Sequence, residues 1–68
     1  MKKWMAGITF YGNDEWAWQG YVVASDSRTA KKLMSKLKDD LQRETDDKLG
    51  RIEITDPTET DEKAGISD

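Results

Sequence analysis

The side chains that could do chemistry in this 68-residue chain are carboxylates, lysines and hydroxyls, because histidine and cysteine are both missing. A general base would have to be a carboxylate or lysine of shifted pKa, and a nucleophile a serine, threonine or lysine. Asp39-Asp40 and Asp46-Asp47 are adjacent carboxylate pairs. Neighbouring helical residues diverge by about 100°, however, so neither pair converges on one substrate. Asp40 and Glu44 stand four apart, a spacing that could hold a divalent ion, although a solvated charged face accounts for them better. Asp56, Glu59, Asp61 and Glu62 lack the glycine and final ligand of a calcium loop. A zinc centre would rest on carboxylates alone, and no glycine loop suited to phosphate occurs. The inventory leads us to expect a protein that is not an enzyme and takes no cofactor or metal.

Two other groupings are suited to binding. Arg28, Lys31, Lys32, Lys36 and Lys38 form a basic run, followed by the acids Asp39, Asp40, Glu44, Asp46 and Asp47. On a helix this order opposes the macrodipole, at a cost of a few tenths of a kcal/mol per charge. Pairs such as Asp39–Arg43 and Glu44–Lys48 would offset part of it. The run reads either as solubilising charge or as a patch for an anionic partner. The acidic half of one copy could also dock on the basic half of another. The second grouping is aromatic: three Trp, two Tyr and one Phe fall within residues 4–21. Rings on an open sheet can stack bases or form a protein interface.

The elements that would position these residues begin with one long helix, expected from Asp26 to Leu49. Ala30, Leu33, Met34, Leu37 and Leu41 recur at spacings of three and four, which makes one apolar stripe. Asp26 is the expected N-cap, and Gly50 follows as a helix-ending glycine. Lys3 to Tyr11 alternates as a strand, Gly12-Asn13-Asp14 is a turn, and Glu15 to Ala24 is the returning strand. A three-residue loop sets Trp16, Trp18, Gly20 and Val22 beside Phe10, Ile8, Ala6 and Trp4. A two-residue turn at Asn13-Asp14 brings Ala17, Gln19, Tyr21 and Val23 to that face instead. The first register buries more apolar surface and keeps Gln19 out of the core, so we prefer it. Trp4, Trp16 and Trp18 then pack inward. The uncovered face shows Met5, Thr9, Tyr11, Gln19, Tyr21 and Val23, with Arg51 and Glu53 alongside.

Arg51 to Thr55 alternates as a short third strand that Pro57 stops. The expected fold is α+β: a β-β-α-β domain over residues 1–55 with a three-stranded antiparallel sheet of order 2-1-3 and the helix on one face. Residues 1–55 carry ten Lys/Arg against nine Asp/Glu, whereas residues 56–68 carry five acids against Lys63 alone. That tail, poor in apolar residues, is expected to be acidic and disordered. The long edge of strand 2 would be unpaired and open to another chain.

No apolar h-region follows Lys2 and Lys3, and no run nears the roughly 18 apolar residues of a membrane span. The expectation is a cytoplasmic protein without membrane contact. A core this small is marginal alone, which favours a homodimer. Short, Trp-rich, charge-dense chains of this kind are similar to the accessory proteins that phages and mobile elements use to engage host factors. We therefore expect a protein-protein interaction module working through its sheet face or strand edge. The alternative is a nucleic-acid-binding or nucleic-acid-mimicking accessory protein that uses the Arg28–Lys38 patch or the acidic tail. A near-neutral folded part lacks the basic excess which that alternative calls for.

Overall fold

The alternation of Trp4, Ala6 and Ile8 with Met5, Gly7 and Thr9 makes β1 (Lys2–Phe10), and the rest of the molecule is laid against that strand. The structure is a computed structural model describing residues 1–68. The chain turns through residues 11–15 into β2 (Trp16–Ala24), then runs on as α1 (Ser27–Glu44), β3 (Leu49–Glu59) and β4 (Gly65–Ser67). Gly12 takes a φ of 84°, a conformation glycine adopts without strain, and the hairpin is closed by Phe10 N–H donating to Glu15 O at 3.0 Å.

The sheet is antiparallel and four-stranded, in the order β3-β1-β2-β4. This corrects the expected three-stranded sheet of order 2-1-3 and its disordered tail. β3 continues past Pro57 to Glu59, and β4 pairs with β2 through Tyr21–Ser67, Val22–Ile66 and Val23–Gly65. Polar contacts add to this pairing. Thr60 N–H donates to Met1 O at 3.1 Å, and Lys3 pairs with Glu62 at 2.9 Å. The outer edge of β2, expected to be open, is therefore occupied along Tyr21–Val23 by the chain's own end. The longer outer edge belongs to β3, capped at its start by Gln42 on Leu49 N–H and Lys38 on Gly50 O.

The helix starts where its cap predicts. Asp26 is extended (φ −150°, ψ 171°), and its side chain accepts from Thr29 N–H at 2.8 Å. The stripe is laid on the sheet: Ala30 and Met34 are fully buried, and Leu33, Leu37 and Leu41 pack at the margin of the core. The helix ends at Glu44 with Thr45 as C-cap, earlier than the expected Leu49, and Gly50 lies in β3. Gln42 explains the early stop. Its Nε2 donates to Asp47 O at 2.9 Å, and its Oε1 accepts from Leu49 N–H at 2.8 Å. One side chain thus closes the loop and delivers Leu49, 4% exposed, to the core. Neither expected ion pair along the helix forms: Arg43 pairs with Asp40 at 3.7 Å rather than with Asp39, and Lys48 lies outside the helix.

The core joins Trp4, Ala6, Ile8, Val22 and Ala24 of the hairpin to Ala30 and Met34 of α1 and to Leu49. Ile52 and Ile54 pack against it from β3. No helix is long and apolar enough to cross a membrane.

Candidate functional site

With the helix covering one face of the sheet, the other stays open, and three irregularities in strand pairing decide what it displays. The first is in the hairpin. Trp4–Val22, Ala6–Gly20 and Ile8–Trp18 pair in the preferred register, but Thr9 then lies opposite Trp16, leaving Ala17 as an extra residue. A bulge of this kind reverses the alternation of faces. Trp18 remains on the helix side, packed against the core and lying over Gly20. Trp16 is moved to the open side, where its ring occupies the space a side chain at Gly7 would need. This corrects the expectation that Trp16 is a core residue: it is 42% exposed.

The second irregularity is between β1 and β3. Ile8 pairs with Ile52 and Phe10 with Leu49, so Gly50 and Arg51 together face Thr9. Thr9 Oγ1 accepts from Arg51 N–H at 3.1 Å, and a Cβ at Gly50 would stand 2.7 Å from that oxygen. Thr9 is consequently buried, 1% exposed, contrary to its expected place on the open face. Its hydroxyl serves the ladder. The third irregularity sets Asp56 and Pro57 opposite Trp4, with Asp56 at a φ of 55°.

Val23 is the other correction. It was expected on the open face and is buried where it pairs with Gly65 and shares a small cavity with residues 62–67. The remaining expected residues divide into two groups. Met5, Gln19 and Tyr21 lie together on the open face, with Met5 directly opposite Tyr21 and Gly7 opposite Gln19. Trp16 joins them across a shallow groove of about 120 Å³ bordered by Glu53 and Thr55 of β3. Tyr11 lies apart, at the hairpin end, its N–H on Lys48 O at 2.8 Å and the Lys48 ammonium 4.2 Å from its ring centre.

Charges frame the open face. Lys3 Nζ stands 4.7 Å from the Tyr21 ring centre while it pairs with Glu62. The hydrogen bond from Lys3, then that from Thr60, holds the Glu62 carboxyl below its ordinary value. Arg51 bonds Glu53 at 3.1 Å and Asp14 at 3.2 Å, which raises its pKa, with the Glu53 bond as the larger cause. Asp14 belongs to the hairpin and Arg51 to β3, so this guanidinium ties the sheet together at one end.

The basic run is dispersed by the helix. Successive 100° steps place Lys31 and Lys38 on the flank toward β3, Arg28 and Lys32 on the outer face, and Lys36 toward the opposite flank. Lys38 donates to Gly50 O. Nothing in the molecule gathers three or more carboxylates into a metal-binding group.

Trp16 is the functional candidate that period-two reasoning missed. The available signal was Gly7, since a lone glycine inside a strand marks a bulge or a close approach. Comparison with protein-family models, curated proteins and solved structures finds no match to this chain.

Proposed function

We propose that this chain is a small, non-enzymatic protein-protein interaction module of the cytoplasm, an accessory protein that binds and modulates a partner protein through its open sheet face. The observation that carries the reading is the adjacency of Met5, Trp16 and Tyr21, respectively 53%, 42% and 42% exposed, on one side of the sheet. Met, Trp and Tyr are the residues that interfaces enrich, and their large apolar surface gains most from being covered. Trp16 is also held in place before any partner arrives, because Gly7 seats its ring. A fixed side chain loses less entropy on binding.

A nucleic-acid role has less behind it. Lys38 is engaged by Gly50 O, Arg51 by Glu53 and Asp14, and Lys48 by the Tyr11 ring. The other cations of the run are spread around the helix, away from the exposed rings.

The experiment is an affinity capture from lysate of the source organism with and without nuclease, repeated with Tyr21→Ala and Trp16→Ala. The expected result is a protein retained after nuclease and lost with either variant, while both variants keep a cooperative melt. Recovery that vanishes with nuclease would move the reading to nucleic acid. Recovery of the chain alone, with Tyr21→Ala turning a dimer into a monomer, would make the face a self-association surface.

A further inference from the structure

We infer a second interaction site, separate from the open face: the free edge of β3 accepts an extended, acidic segment of a partner protein as an added strand. The edge is defined by which way its backbone groups point. Phe10 N–H turns toward β2, bonding Glu15 O, and Tyr11 N–H turns toward the β3 side, bonding Lys48 O. In an antiparallel sheet this direction alternates with each residue. The odd residues of β1, Gly7 and Met5, therefore bond Glu53 and Thr55, their partners in register. Ile52 and Ile54 must then direct their N–H and C=O groups outward, where no strand lies. Such groups are a template for pairing.

The surface beside that edge selects the guest. A groove of about 470 Å³ runs between α1 and β3, its floor made by the half-buried Ile52 and Ile54 and its wall by Lys31 and Ser35. The helix flank above it carries Lys31, Ser35, Lys38 and Gln42 in succession, with two cations and no acid, and Lys38 already reaches the strand end by donating to Gly50 O. Glu53 also borders the groove, but its carboxylate is paired with Arg51 at 3.1 Å. A guest strand places alternate side chains under this flank. Glutamates there would cover Ile52 and Ile54 with their methylenes and carry a carboxylate to Lys31.

The same charges argue against a second copy as the occupant. Pairing β3 with its own mate would bring the two basic flanks together, which costs energy in a partly desolvated groove. An acidic partner removes that cost.

The experiment selects ligands for the full chain from a displayed library of random peptides about eight residues long, the length of an ordinary strand. Enriched peptides are expected to carry Asp or Glu at alternate positions. A synthetic copy should shift and protect the amides of Ile52 and Ile54. N-methylation of its alternate residues should abolish binding in one frame and spare it in the other. Lys31→Glu, on an exposed helix position, should weaken binding by at least about tenfold and redirect the selection toward Lys and Arg. Four outcomes would overturn the inference. These are no acidic enrichment, affinity unchanged by Lys31→Glu, amide shifts confined to Met5 and Tyr21, and protection of Ile52 and Ile54 that rises with protein concentration alone.

Discussion

The ring of Trp16 rests on Gly7, in the volume that any other residue's Cβ would fill. The two lie on neighbouring strands, and the Ala17 bulge brings them to the same side. Gly7→Ala should therefore lift the ring from the sheet. Forcing a methyl under it costs about 1–3 kcal/mol. Tryptophan emission should move to longer wavelength, and partner binding should weaken while the fold survives. Unchanged emission would mean that the ring has another seat.

Met34 is fully buried beneath the middle of the helix. Met34→Ala should destabilise the protein by about 2–5 kcal/mol, read as a lower urea midpoint with the slope retained. Leu33→Ala, at a half-buried position, should cost less. Equal losses would indicate that the helix sits on the sheet in a different rotation.

Gln42 joins the end of the helix to the start of β3 through Asp47 O and Leu49 N–H. Gln42→Ala leaves that N–H without its partner, at a cost of about 1–3 kcal/mol. Hydrogen exchange at Leu49 should accelerate more than exchange in the hairpin. Uniform acceleration would assign the loss to global stability alone.

Removal of residues 61–68 takes away β4 and the Glu62 partner of Lys3. It uncovers Val23, 5% exposed in the intact chain. The melting temperature should fall by several degrees, and exchange at Tyr21 and Val23 should quicken. A truncated chain that melts like the full one would show that the tail adds nothing to the fold.

Acid should weaken the protein through two carboxyls. Asp26, bonded chiefly by the Thr29 backbone N–H, and Glu62, bonded chiefly by Lys3, both titrate below their ordinary values when folded. The unfolded chain then takes up protons first, so their contribution is complete above the ordinary carboxylate range of roughly pH 4–4.5. It is lost as pH falls through the folded values. Urea midpoints should drop on going from neutral pH into that region. Asp26→Asn with Glu62→Gln should flatten the profile, and an unflattened profile would assign the acid loss to other groups.

Much of this architecture is readable from spacing because it depends on local chemistry. Asp26 accepts from an amide three residues on, Gly12 turns where a positive φ is required, and Ala30 and Met34 repeat with the helix. What escapes the sequence depends on distant partners. The helix stops early because Gln42 finds Asp47 and Leu49. Thr9 is buried because Arg51 N–H reaches its hydroxyl from far along the chain. β4 carries little apolar surface, so periodicity gives it no weight, yet backbone pairing and one ion pair order it. The open face was legible in Met5, Gln19 and Tyr21. Trp16 was not, because one extra residue inverts its side.

Asp56 and Pro57 bound one end of the outer edge of β3, and the Lys38 bond to Gly50 O bounds the other. The regular interval between them is a berth of fixed length. At the far side of the sheet, β4 offers only three residues. Lateral growth into a fibril needs long, regular edges on both sides, each new strand templating the next. Here one side admits a short visitor and the other nearly none. Any assembly along these strands should therefore stop at a small, countable number of chains, even at concentrations where a longer edge would gel.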